Sequence, residues 1–261
     1  MLADRLATYS RFVRFEHTLF SLPLLYAGAW LGAGGWPGWR TAALILMAGA
    51  GARTLALGLN RMIDRSLDAR NPRTAGRELP SGRMSVAEAW TVIVAGGLVY
   101  VLAAALISTP CLLAAPVPVL IFAAYPFMKR FTPWAHLGVG AGLALAPLGG
   151  WLAAWGRGGS PDPTASALWL SAFTFAWVTG FDIIYATLDE AHDRAAGIHS
   201  LPARYGTAAA LRISAGFHIA AFACLRSIFT GSGACARVIV DVVVDVIIVR
   251  INRKRRAVEP G

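Results

Sequence analysis

Polar and apolar residues in this chain separate into long blocks. Predominantly apolar runs cover about 17 to 34, 41 to 60, 87 to 108, 111 to 127, 134 to 155, 166 to 187, 207 to 230 and 234 to 251. Each is close to the about 20 residues that a helix needs to cross a bilayer. The pattern predicts an all-α, polytopic transmembrane bundle of about eight spans. The last run differs from the others in carrying Asp241 and Asp245 among valines. Acidic groups inside a span cost a few kcal/mol each unless paired or hydrated.

Composition agrees with a membrane protein: 56% of the 261 residues are hydrophobic and the mean hydropathy is +0.56, too apolar for a soluble domain of this size. The 24 basic residues outnumber the 14 acidic ones. In so apolar a chain that excess reads as loops facing an anionic cytoplasmic leaflet rather than as a nucleic-acid surface. Cys111, Cys224 and Cys235 lie in apolar stretches without metal or redox spacing and read as packed thiols. Arg5, Arg11 and Arg14 ahead of the first run imitate a signal peptide, but the apolar blocks that follow favour an uncleaved first span.

Basic residues also set the orientation. They gather before the first span, between the second and third (Arg61, Arg65, Arg70, Arg73, Arg77, Arg83), at Lys129 and Arg130, at Arg194, Arg204 and Arg212, and at the carboxyl end. The intervening loops hold little beyond Arg40 and Arg157. Every second loop and both chain ends are therefore expected on the cytoplasmic side of the cell's inner membrane.

The richest of these loops is NRMIDRSLDARNPRTAGRELPSG, residues 60 to 82. Asn60, Asp64 and Asp68 recur every fourth residue, so a helix continuing out of the second span would hold all three on one face. Carboxylates stacked roughly 6 Å apart raise each other's pKa unless a cation intervenes. A second acidic stretch, DIIYATLDEAHDRAAGIHSLPARYG, leaves the sixth span with Tyr185, Asp189 and Asp193 at the same spacing and Asp182 seven residues before Asp189. The two patterns start 125 residues apart, which predicts two similar four-helix halves around a central cavity. Solvated loops are often charged, but two matched clusters at span ends are costly enough to imply function.

Hard oxygen donors without Cys or His at matching spacing favour magnesium. Asp64, Asp68, Asp189 and Asp193 would hold about two hydrated ions whose shells are completed by phosphate oxygens, making a diphosphate the natural guest. Arg73, Arg77, Lys129 and Arg130 can balance its charge. For Lys129 and Arg130 a purely topological role is the alternative.

Together, NRMIDRSLDARNPRTAGRELPSG and YATLDEAHDRAAGIHSLPARYG resemble the UbiA-type family of intramembrane aromatic prenyltransferases. YPFMKRFTPWAHLGVG at 125 to 140 is similar to the family's central loop and fifth span, and the likeness covers most of residues 10 to 225. FEHTLFSLP and ARTLALGLNRMID resemble the bacterial branch of 4-hydroxybenzoate polyprenyltransferase-like enzymes, which includes those prenylating 1,4-dihydroxy-6-naphthoate for menaquinone. The resemblance implies a bundle of usually nine spans and a magnesium-dependent transfer of a polyprenyl group from its diphosphate to an aromatic acid in ubiquinone or menaquinone biosynthesis. It implies that Asn60, Asp64, Asp68, Asp189 and Asp193 hold magnesium and diphosphate, with Tyr185 beside the diphosphate. Arg61 departs from the acidic residue many relatives carry, which argues against position 61 as a ligand.

Given that chemistry, Trp151, Phe173, Phe175, Trp177 and Phe181 could turn ring faces to an allylic cation, or serve as ordinary packing aromatics. Arg53 lies in mid-span, two turns before Asn60. Arg53 and Asp182 are expected to face the aromatic substrate, Arg53 pairing with its carboxylate or alternatively with an acidic group such as Asp182. Glu16, His17, His192 and His199 read as structural.

Domain organisation follows as a prenyltransferase transmembrane domain over 1 to 225 and an atypical segment over 226 to 261. The run GSGACARVIVDVVVDVIIVRINRKRR loses the family's character, as a shifted reading frame or truncation would produce, a structural variant of the last span being the alternative. Alternatives from other classes are a transporter, since repeats and intramembrane charges also mark those folds, and a catalytically silent scaffold. Within the enzyme class the alternative is a haem-farnesylating or homogentisate (tocopherol-type) relative.

Overall fold

The structure, a computed structural model, describes residues 2–13, 18–155 and 165–231. These residues form helices only: α1 (Leu2–Val13), α2 (Thr18–Ala33), α3 (Trp39–Ile63), α4 (Arg65–Arg70), α5 (Val86–Ile107), α6 (Thr109–Ala114), α7 (Pro116–Met128), α8 (Ala135–Trp155), α9 (Ala165–Ala186), α10 (Glu190–Ala196), α11 (Leu201–Tyr205) and α12 (Thr207–Gly231). Among the described residues six stretches are long and apolar enough to cross a membrane: α3, α5, α6 with α7, α8, the one built on α9, and α12. The first expected span is α2, of 16 residues with Pro23 inside it. The eighth, 234 to 251, lies outside the described residues, as do Arg14, Glu16, His17 and Arg157.

Two similar halves are visible in the packing. In the first, α3 lies along α5; in the second, α9 lies along α12; and α2 and α8, which open the two halves, pack against each other. Helices in a bilayer gain little from excluding water, so close backbone approach and small residues carry their association. Gly28 sits against the backbone of Pro147, and Gly150 against the carbonyl of Leu25, so closely that a Cβ at either would overlap main-chain atoms. Gly140 gives α8 the same proximity to Thr179 of α9, while the Ser214 hydroxyl on α12 donates to the Gly180 carbonyl at 2.7 Å.

Overlap with backbone cannot be relieved by a rotamer change. Gly150→Ala is therefore expected to destabilise the bundle by about 1–3 kcal/mol, read as an earlier thermal unfolding in detergent. Gly149→Ala is the control, because a Cβ there meets only Leu25 Cδ2, at 4.0 Å.

Local chemistry fixes the helix ends that matter. Ser85 and Glu88 form a reciprocal capping box that starts α5. Ser108 caps α6, its Oγ accepting from the Cys111 amide at 3.3 Å. At the charged end, Phe12 of α1 is fully buried with Leu79, Met84 and Ala89. The Arg61 guanidinium lies over its ring at 5.6 Å, and Arg61 Nη1 donates to Glu78 Oε2 at 2.6 Å. Position 61 is thus committed to a buried ion pair. At the opposite end, the short α2–α3 turn exposes Trp36 and Trp39, residues suited to a membrane interface.

Candidate active site

The helix expected to run unbroken from Asn60 through Asp68 is interrupted. Asp64, at φ −90 and ψ 1, ends α3 and precedes α4. The four-residue register survives, because the Asp64 amide donates to the Asn60 carbonyl at 2.9 Å and the Asp68 amide to the Asp64 carbonyl at 2.8 Å. The break turns Asp64 inward, leaving it 2% exposed. Its Oδ2 takes the Lys129 ammonium and a 3.3 Å hydrogen bond from Asn60 Nδ2. Its Oδ1 is buried with no hydrogen-bond partner. Burial pushes the Asp64 carboxyl above its ordinary value, with the Lys129 charge pulling against it. Asp68 Oδ2 accepts from Arg77 Nη1 at 2.7 Å.

The second cluster is built in the same way. After α9, a short 3₁₀ turn at Thr187–Asp189 leads into α10. Asp189 Oδ1 accepts from Asn71 Nδ2 at 2.9 Å and from Arg73 Nε at 2.8 Å, and its Oδ2 pairs with the second arm of the same guanidinium. Arg73 also lies over the Tyr185 ring at 5.5 Å. The α4–α5 loop of the first half thereby reaches the acidic end of the second.

Both clusters line one polar pocket of about 320 Å³, which includes Asn60, Asp64, Asp68, Arg73, Arg77, Lys129, Tyr185, Asp189 and Asp193. Asp64 and Asp189 are on the same side of the bundle and face the same space. Beside the pocket lies an apolar chamber of about 550 Å³ bordered by α3, α5, α7 and α8. Asn60, Arg77, Tyr125, Val139, Asp182 and Tyr185 line both, forming a seam. Arg53 borders the chamber.

The residues fit magnesium. Asp64 Oδ1 is an acceptor left over in a buried position, and the surrounding donors are hard oxygens. Among the described residues no three acidic, His or Cys groups already form a metal cage. Asp64, Asp68 and Asp189 each hold a cation, Lys129, Arg77 and Arg73 respectively. Magnesium needs only one or two protein carboxylates when a substrate phosphate completes its shell.

Some expected members of the site stand elsewhere. Arg130 does not line the pocket; its guanidinium donates to the Ile63 carbonyl at 2.8 Å, closing the end of α3, where free carbonyls attract a cation. Trp151, Phe173, Phe175, Trp177 and Phe181 line neither cavity. Phe173 and Trp177 instead belong to the core between α9, α12 and α2. The rings that border the chamber are Tyr100, Phe122, Tyr125 and Tyr185. Asp182 Oδ2 is bonded to His136 Nδ1 at 2.7 Å.

Sequence reasoning missed Asn71 and His136, and it took His192 and His199, which line the polar pocket, for structural residues. Asn71 stands three residues beyond Asp68 inside the charged stretch itself. His136 opens the fifth span, where an ionisable group is a signal in its own right.

A family model described as the UbiA prenyltransferase family matches residues 21–259. A 4-hydroxybenzoate octaprenyltransferase of Alkalilimnicola ehrlichii is 32% identical over 218 residues, covering 79% of this chain and 70% of that protein. One of Shewanella woodyi is 29% identical over 224 residues, with 85% and 76% covered. Among solved structures, the apo structure of a UbiA homolog from Aeropyrum pernix K1 is 35% identical, with a TM-score of 0.79 over 94% of this chain and 90% of that one. A UbiA homolog from Archaeoglobus fulgidus bound to DMAPP and Mg2+ shares the fold at 22% identity, with a TM-score of 0.72 and 93% and 85% covered.

Proposed function

The chain belongs to the UbiA prenyltransferase family, and on that premise we propose that it transfers a polyprenyl group from its diphosphate to an aromatic acid, 4-hydroxybenzoate first among the acceptors. The observation that carries this reading is the junction of two facing acidic helix ends with an apolar chamber. A diphosphate fits the first and a prenyl chain the second.

Asn60, Asp64, Asp68, Asp189 and Asp193 would hold magnesium together with the diphosphate. Bound there, the metal supplies Lewis-acid charge that offsets the negative charge growing on the departing group. Arg73, Arg77 and Lys129 leave their carboxylates for the diphosphate oxygens, and Tyr185 flanks them. Because these contacts strengthen as the C–O bond breaks, they favour the transition state over the ground state. Tyr125, Tyr185 and Phe122 turn apolar surface to the allylic carbon, and the chamber keeps out water that would capture it. The DMAPP and Mg2+ in the Archaeoglobus fulgidus homolog and the names of the bacterial relatives support this assignment. The positively charged loops share one end of the bundle and Trp36 and Trp39 the other, which supports a site facing the cytoplasm in the inner membrane.

Purified protein in lipid nanodiscs, given magnesium, prenyl diphosphates of several lengths and either 4-hydroxybenzoate or 1,4-dihydroxy-6-naphthoate, is expected to form the alkylated acid. No alkylated product from either acid would overturn the reading. Arg53 is assigned to the acceptor's carboxylate. Arg53→Gln should raise the KM for the acid about tenfold or more, in keeping with loss of a charge-assisted hydrogen bond, and leave that for the diphosphate nearly unchanged. Equal changes in both would remove Arg53 from this role.

A further inference from the structure

Joining an allylic carbon to an aromatic ring leaves a proton to dispose of. The C–O bond of the prenyl diphosphate breaks with its electron pair going to the diphosphate, and a ring π pair forms the new C–C bond. The ring C–H bond must then break, its pair restoring aromaticity and its proton going to a base. That base has to stand where the two substrates meet, at the seam between polar pocket and apolar chamber.

Among the described acidic residues, Asp182 alone lines the apolar chamber as well as the polar pocket. It also differs from its neighbours in its partner. Asp64, Asp68 and Asp189 are paired with Lys129, Arg77 and Arg73 respectively, cations suited to a diphosphate. Asp182 Oδ2 is bonded to the imidazole of His136 at 2.7 Å. The His136 side chain is 7% exposed and that of Asp182 35%, so the carboxyl is accessible while the ring behind it is enclosed. His136 Nε2 is buried without a hydrogen-bond partner, so the ring's polar contact is the one to Asp182. A carboxylate can only accept, which places the imidazole proton on Nδ1.

The backbone fixes this pair. Gly140 brings α8 against Thr179 of α9 so tightly that a Cβ would overlap the threonine hydroxyl. His136 is one turn before Gly140, and Asp182 is three residues beyond Thr179, so the closest approach of the two helices sets the ring behind the carboxylate.

We propose that Asp182 accepts the ring proton released when the prenyl group is attached, through Oδ1, and that His136 is a positioning residue holding the carboxylate toward the seam. The proton then passes to water in the polar pocket. This rests on the aromatic-acid reading above and extends it, since it assigns Asp182 to the step after diphosphate departure.

Two readouts separate the steps. Scrambling of 18O between bridging and non-bridging positions of labelled prenyl diphosphate follows C–O cleavage alone, whereas ring-deuterated 4-hydroxybenzoate reports on loss of the ring hydrogen. Asp182→Asn is expected to lower alkylated product about a thousandfold, within the range for removal of a general base. Scrambling should persist, and a primary deuterium isotope effect absent from the unaltered protein should emerge. His136→Asn, which misplaces the carboxylate without removing it, is expected to lower product about a hundredfold with the same isotope signature. Scrambling lost together with product in a variant that melts like the unaltered protein would place Asp182 in diphosphate departure and overturn the proposal. So would unchanged product formation. Should Asp182→Asn not fold, the same outcomes in His136→Asn decide. Failure of the unaltered protein to alkylate any aromatic acid, with scrambling intact, would remove the acceptor reading instead.

Discussion

Asp64→Ala is expected to reduce prenyl transfer about a thousandfold, the scale seen when a group aimed at developing charge is removed. Asp64 is 2% exposed and its Oδ1 has no hydrogen-bond partner. A carboxylate with a buried, unused lone pair is poised for a cation that arrives with the substrate. The same change deprives the Lys129 ammonium of its partner, so stability must be measured beside activity. Asp64→Asn keeps the shape and removes the charge. It leaves the Lys129 ammonium a neutral acceptor and should lose less thermal stability than Asp64→Ala, while product formation falls and the magnesium concentration for half-maximal rate rises. Full activity at unchanged magnesium dependence in either variant would exclude Asp64 from the metal site.

The second large effect concerns folding. Glu78 is 5% exposed and pairs with Arg61, itself 6% exposed, at 2.6 Å. Arg11 and Arg83 approach the same carboxylate at 3.8 and 3.9 Å. Glu78→Ala takes the carboxylate partner from a buried guanidinium and should cost about 3–5 kcal/mol, lowering the thermal midpoint in detergent by roughly 10 °C. Arg61→Met combined with Glu78→Met should recover most of that loss, because an apolar pair needs no desolvation of charge. If Glu78→Ala melts like the unaltered protein, the pair contributes nothing to the fold.

Arg61 and Glu78 also mark where the sequence is easy to read and where it is not. The spans followed from hydropathy because each helix must satisfy its backbone alone and cover about the same thickness of lipid. Seven of the expected runs coincide with α2, α3, α5, α6 joined to α7, α8, α9 and α12. Asn60, Asp64 and Asp68, like Tyr185, Asp189 and Asp193, were legible because a four-residue period survives even the break at Asp64. What spacing cannot convey is which neighbour a face meets. Phe173 and Trp177 looked available to an allylic cation until α12 and α2 covered them. Arg130 looked equivalent to Lys129, but the next residue along a turn points elsewhere, and it met the end of α3. His136 needed Asp182, 46 residues away, before it had any meaning.

The three carboxylate–cation pairs of the polar pocket bear on how a turnover ends. Lys129, Arg77 and Arg73 are paired with Asp64, Asp68 and Asp189 respectively. Under the proposed mechanism a loaded site has traded those partners for phosphate oxygens. The aspartates, holding magnesium in that state, regain the three basic side chains as the metal leaves, and re-formed ion pairs oppose the retention of spent pyrophosphate in so basic a cleft.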